Sequence, residues 1–299
     1  MKNYEMFKEE VVESIIDYMS QKNFKDAEVN VRRTPKNNKT LDGLSIIPKG
    51  YSGAVPVIYI NHLYEDYCVS GDFASIMRRI AGLLEQGFRS APDYKNLELS
   101  PEKEKQNIVL QLINTEKNQE MLKDVPNRSF HDLSIVYRIA FDDKHSAMIS
   151  NQLAENMQIT EEELFALALE NTKKKFPTVV KGMNEIIQEM MGVFFDAPDE
   201  DEEELLYVFS NEKSYHGAVA MLYDDVLEKL ADKLESDLYI LPSSIHELIA
   251  TPFRDNVNPC DLISVVKHVN GSAVAEEDRL SDNIYHYSRE THTVTLIVQ

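Results

Sequence analysis

The chain predicts an α+β fold, with mixed or antiparallel sheets, hairpins, and helices packed on them in two or three subdomains. Three observations lead there. Apolar residues recur at both helical and strand spacings, the two kinds of segment are interspersed without regular strand-helix-strand alternation, and 43% of the 299 residues are hydrophobic, enough for a substantial core.

Tyr4, Phe7, Val11, Ile15 and Tyr18 recur at steps of three and four and predict an opening helix with one apolar face. Ala27 to Arg33, Leu41 to Ile47 and Ala54 to Ile60 read as extended runs. Pro35 to Lys39 form the turn between the first two, and Pro56 marks the third as an edge strand or a bulge. A helix from about Phe73 to Gly87 closes an N-terminal α+β unit at 1–99, with Ser90 to Ser100 as the connection.

The middle hairpin and helical unit, 100–195, opens on the helix start Ser100-Pro101-Glu102 and continues through a strand from Ile108 to Ile113. Ile135, Tyr137, Ile139 and Phe141 alternate with Val136, Arg138 and Ala140, the period of a half-buried strand that turns at Asp142-Asp143-Lys144 into Ala147 to Ile149. Thr160 and Glu163 make a capping box for a helix that Phe176-Pro177 ends. Val179, Met183, Ile186, Ile187 and Met190 give the next helix one packing face. Residues 196–204 are acidic apart from Ala197 and Pro198 and predict a solvated linker.

The C-terminal α+β unit, 205–299, reads as strands Leu205 to Ser210 and Ala218 to Tyr223, a helix Asp225 to Glu235, a strand Leu238 to Leu241 and a helix Ile245 to Ala250. A helix capped by Asn258-Pro259 and a hairpin, Ile284 to Ser288 with Thr293 to Val298, complete it. Segments 53–59 and 217–223 share four identities in seven positions, an internal echo of a strand followed by a helix.

Asp and Glu number 51 against 31 Lys and Arg, a formal charge of −20 that repels phosphate backbones. The basic clusters, Arg32-Arg33, Arg78-Arg79 and Lys173 to Lys175, are small, so nucleic-acid binding is not expected and a protein partner is the better match. No apolar run approaches the roughly 18 residues of a membrane span. Met1 to Gln21 carries acids where an export signal needs a basic flank, and Cys68 and Cys260 stand in apolar surroundings outside any CxxC spacing. Buried thiols in a cytoplasmic protein are expected; no spacing in the chain defines an oligomeric state.

Candidate chemistry concentrates in Asp237 to Pro252, where an apolar run hands over to Ser243, Ser244, His246 and Glu247. His246-Glu247 opens like a zinc-protease helix, but Ala250 stands where the second histidine belongs, and Ser244 with Glu247 makes a plain capping box. Ser243 is a candidate nucleophile without the G-x-S-x-G elbow, with His216, Asp224 or Asp225 as partners brought in from elsewhere. Asp225 with Asp224 and Glu247 would suit a hard cation, against the plainer reading of Asp225 as a helix start. His131, Asp132 and Arg138 form a second polar knot, either an anion site or the satisfied groups of a turn and strand edge. Phosphate-cradling glycine loops are missing, so no nucleotide cofactor is expected, and no metal site is complete.

Leu41-Asp42-Gly43-Leu44, Tyr59-Ile60-Asn61 with Tyr64-Glu65, Asp132 to Arg138, Asn211 to Gly217, Ile240 to Glu247, and Leu280-Ser281-Asp282 with Tyr285 together resemble the uncharacterised bacterial family called domain of unknown function 5688. The resemblance spans nearly the whole chain and implies an intracellular bacterial protein, without supplying a reaction, cofactor or catalytic set. Two readings follow. The first is a binding or interaction protein that uses its acidic surface and the 243–247 region. The alternative is a hydrolase or nuclease-like enzyme with a site around His246, Glu247 and Asp225.

Overall fold

A computed structural model of the chain describes residues 1–20, 24–51, 55–90, 104–141, 146–191 and 204–298. The acidic run up to Glu203, the Asp142-Asp143-Lys144 turn, the Ser100-Pro101-Glu102 helix start and most of the 90–100 connection lie outside the described residues. The fold is α+β and divides into two units, 1–36 with 40–99, and 37–39 with 100–299.

In the first unit, helix α1 (Tyr4–Tyr18) starts where the Asn3 side chain accepts from Met6 N at 2.9 Å, and it buries Phe7, Val11 and Ile15, the stripe read from the sequence. Strands β1 (Glu28–Lys36), β2 (Lys39–Ile47) and β3 (Val57–Tyr59) form a three-stranded sheet in that order. The turn is tighter than expected: Pro35 lies inside β1, tolerated there because β1 is an edge strand. Helix α2 (Asn61–Ser70), absent from the sequence reading, ends at left-handed Gly71. Helix α3 (Phe73–Ser90) then returns, and Ile76, Met77, Ile80 and Leu84 pack with Phe7, Leu44, Ile60 and Tyr67.

The second unit carries two antiparallel sheets. Strands β4 (Ile108–Asn114), β5 (Asn127–Phe130), β6 (Leu133–Ala140) and β7 (Ser146–Met148) form one, with β6 central. Asn127–Phe130 is thus a strand, and His131-Asp132 is the hairpin turn after it, with His131 at φ 55°. Short helices α4 (Gln119–Leu122) and α5 (Asn151–Asn156) precede α6 (Glu161–Lys175), whose Thr160–Glu163 capping box is present as expected. Helix α6 seals the free edge of β4: Leu110 N donates to Thr172 Oγ1 at 2.9 Å, and Asn171 Nδ2 donates to the Ile108 carbonyl at 3.0 Å.

The other sheet runs β13-β12-β10-β11-β9-β8, from β8 (Thr178–Gly182), β9 (Tyr207–Asn211), β10 (Leu238–Leu241), β11 (Leu248–Pro252), β12 (Ile284–Ser288) and β13 (Thr293–Ile297). Three expectations are corrected. Val179 belongs to β8, and only then does helix α7 (Met183–Met191) begin, leaving Ile187 and Met190 exposed instead of packed. Residues 217–222 form a buried 3₁₀ turn in place of a strand, because a short apolar run enclosed on all sides carries no period to separate the two. That removes the echo of 57–59, which is extended.

The third correction concerns 245–250, expected as a helix. Residues 248–252 pair with both β9 and β10, burying Leu248 and Ala250 on one face. Helices α8 (Asp224–Leu234) and α9 (Pro259–Ser272) follow the sequence reading, α9 capped by Asn258. Leu110, Tyr137, Leu164, Phe209, Leu227, Ile240 and Tyr285 share one core, while α9 covers the far face of the six-stranded sheet through Ile263 and Val266. Among the described residues no helix is long and apolar enough to cross a membrane. Neither cysteine is buried as expected: Cys68 is half-buried and Cys260, in the first turn of α9, is exposed.

Candidate functional site

Two loops of the second unit meet at adjacent strand ends. After β9, Asn211 replaces the ladder with its own side chain: Oδ1 accepts from Lys213 N at 3.1 Å and Tyr215 N at 3.2 Å, and Nδ2 donates to the Tyr215 carbonyl at 2.8 Å. That turn holds Ser214 at φ 48° and His216 at φ 50°, left-handed conformations that cost non-glycine residues of order 1–3 kcal/mol each. Gly217 then passes so close to the second loop that a Cβ there would collide with the His246 carbonyl and lie 2.8 Å from Ser210 Cα.

The second loop, Pro242 to Glu247, joins β10 to β11. Ser244 Oγ accepts from His246 N at 3.0 Å, and Ser244 N donates to the Glu247 carbonyl at 3.2 Å, a tight turn built from the residues that read as a helix cap. Ile245 N donates to the Asp278 carbonyl at 2.8 Å. The two loops are tied by Ser210 Oγ donating to the His246 carbonyl at 2.9 Å and Ala218 N to the Ile245 carbonyl at 3.3 Å.

His216 N donates to His246 Nδ1 at 3.2 Å, which requires a lone pair on that nitrogen and leaves the ring proton on Nε2, 3.3 Å from Asp278 Oδ1. Tyr215, His216 and His246 stack as a ladder, with centroids 3.9 Å apart at the first step and 5.7 Å at the second. His216 is 7% exposed and its Nδ1 has no hydrogen-bond partner. Burial first, then the nearby Arg138 charge and His246, hold its imidazole well below the usual histidine range, so the ring is neutral at pH 7. The ladder opens outward: the His246 and Asp278 side chains are 31% and 35% exposed.

Behind the ladder stands Arg138 on β6. Its Nε donates to Ser146 Oγ at 2.6 Å, Nη2 to the Ser146 carbonyl at 3.0 Å and Nη1 to Gln111 Oε1 at 3.3 Å; Ser146 Oγ is 2.5 Å from the Tyr215 hydroxyl. No carboxylate among the described residues pairs with this guanidinium, and burial pushes it below the usual arginine range.

Of the residues singled out from the sequence, His216 and His246 come together. Ser243 Oγ reaches Glu247 Oε1 at 3.4 Å and is not bonded to His246. Asp225 is committed to Lys173 at 3.0 Å and Lys229 at 3.3 Å on α8. Arg138 does not join the His131–Asp132 knot, whose carboxylate accepts from Ser281 Oγ at 2.6 Å, Asn283 Nδ2 at 3.0 Å and the buried Tyr285 hydroxyl at 2.5 Å. Burial and that carboxylate push the Tyr285 phenol far above its usual range. Tyr215, Gln111, Ser146 and Asp278 escaped the sequence reading. Of the groups behind the ladder, only Arg138, a charge within an apolar strand, carried a visible signal. No group of three or more His, Cys, Asp or Glu among the described residues is placed to hold a metal ion.

The model of a family of unknown function, DUF5688, matches residues 4–289. No curated protein and no solved structure matches the chain.

Proposed function

The chain belongs to the DUF5688 family, and from its own site we propose that it is a binding protein whose ligand-facing surface is the Tyr215–His216–His246 ladder with the 243–247 loop and Asp278. One observation carries the reading: both ring nitrogens of His246 are engaged, Nδ1 by a backbone N–H and Nε2 by Asp278. A general base needs a free lone pair facing the substrate, and a nucleophile needs such a base within hydrogen-bond reach. His246 is spent on joining the two loops and on Asp278, and Ser243 is bonded to Glu247 and not to a histidine. Glu247 and Asp278 at the rim belong to the −20 formal charge, and they favour ligands whose rim-facing groups are positive. The cytoplasmic setting belongs to the same proposal and rests on two unpaired cysteines.

The test compares wild type with His246→Ala on a panel of phosphate esters, carboxylic esters and peptides, alongside a thermal-shift screen of small molecules. We expect stabilising ligands that are recovered chemically unchanged and whose effect falls in the variant. Turnover by the wild type that vanishes in His246→Ala would overturn the reading in favour of the hydrolase.

A further inference from the structure

Resting on that reading, we propose that Arg138 is the recognition element of the site and takes an oxyanion, a carboxylate or phosphate group, with Ser146, Tyr215 and His216 around it. A guanidinium offers five N–H donors. Among the described residues Arg138 makes three hydrogen bonds, all to neutral acceptors, in a strand that is otherwise buried.

Removing a guanidinium from water without a counter-charge is costly, and burial normally brings a carboxylate with it. Acidic residues outnumber basic ones by 20 in this chain, yet none among the described residues is paired here. The contrast with Arg128 is direct: on the same sheet, that arginine grips Glu161 through Nε at 3.1 Å and Nη2 at 2.8 Å, the fork geometry of an arginine with its anion supplied by the chain. Arg138 turns the same Nε and Nη2 edge to the neutral Ser146 hydroxyl and carbonyl, and no anion among the described residues reaches it.

A second, independent feature is the unpartnered Nδ1 of the buried His216. Neutral imidazole can present a ring N–H to an anion without carrying charge of its own. Arg138, Ser146 and Tyr215 keep partial exposure, whereas Gln111, on the inner side of the guanidinium, is 3% exposed and serves as its floor. In a chain of this net charge the long-range field repels anions, so selectivity must come from contacts made inside about one Debye length.

The full-length protein is titrated with sodium phosphate and, separately, sodium acetate at constant ionic strength, chloride making up the difference. Unfolding temperature and the Arg138 Nε–H resonance, identified by its absence in Arg138→Lys, are followed. We expect one of the two anions to raise the unfolding temperature saturably and to shift that resonance. The tighter anion identifies phosphate or carboxylate as the group recognised. Arg138→Lys, which keeps the charge and loses the fork, should weaken binding at least about tenfold. Arg138→Met should show only the linear salt response. An unmoved wild-type resonance, or a wild-type salt response equal to that of Arg138→Lys, overturns the proposal and leaves Arg138 as a structural clamp. That failure would leave the non-catalytic reading standing, because the latter falls only on turnover lost with His246.

Discussion

Gly217→Ala should be among the more damaging single-methyl changes in the second unit, although the backbone there has no positive φ and alanine would ordinarily be welcome. The new Cβ would overlap the His246 carbonyl and stand 2.8 Å from Ser210 Cα and Ser210 Oγ. Two of these atoms are backbone, so no side-chain rotation relieves the overlap. Restoring contact distance means parting the loops by roughly 1 Å, and that breaks the Ser210 Oγ bond to the His246 carbonyl, 2.9 Å, and the Ala218 N bond to Ile245, 3.3 Å. Two hydrogen bonds at about 1 kcal/mol each and overpacking of about 1–3 kcal/mol outweigh a gain of about 0.4–1 kcal/mol from the stiffer unfolded chain. A net loss of about 2–4 kcal/mol follows, read as a lower urea midpoint at unchanged slope by circular dichroism. Gly82→Ala is the control. Gly82 is exposed within α3, an added methyl would meet nothing within 4 Å, and alanine there should be neutral or stabilising by up to about 1 kcal/mol. A Gly217→Ala protein within about 0.5 kcal/mol of wild type would refute the close approach of the two loops.

Asp132→Asn places an amide NH₂ among three donors, from Ser281, Asn283 and Tyr285, and should cost about 1–3 kcal/mol in urea unfolding. Adding Tyr285→Phe should then cost less than it does in the wild type, and strictly additive losses would show that the knot is not coupled. His216 supplies a pH signature. Its folded pKa lies well below the ordinary 6.5, so the unfolded chain binds the extra proton, and stability falls as pH drops from 6.5 towards the folded value. The slope approaches about 1.4 kcal/mol per pH unit in that window. Stability at pH 5.5 and 7.5 should therefore differ by about 1 kcal/mol more in wild type than in His216→Asn, and equal differences would place a charged or exposed imidazole at 216.

Local chemistry was legible where it acts within one turn of chain. The α1 stripe, the Thr160–Glu163 box, the Asn258 cap and the closing hairpin each depend on residues three or four apart or on simple alternation. The same locality misled at Ser244 and Glu247, since a serine hydroxyl accepting a backbone N–H two residues on begins a hairpin loop as readily as a helix. Alternate burial along Leu248 to Pro252 was the competing signal. The site itself was half visible. His216 and His246 could be named but not joined, because they lie thirty positions apart and their contact depends on a left-handed backbone at His216. The surroundings of Arg138 depend on Gln111, Ser146 and Tyr215, from three separate segments, and no spacing rule links them.

The sealing of β4 by α6 bears on how the chain is made. The group that receives the Leu110 amide proton belongs to a residue 62 positions later, so during synthesis the outer edge of β4 leaves the ribosome well before its cover does. For that interval, a strand whose first six residues are all buried in the finished protein presents open amides and carbonyls to any neighbouring nascent chain. A product that stops short of Asn171 keeps the edge in that condition permanently, so the sheet is closed by a threonine and an asparagine on a helix rather than by its own last strand.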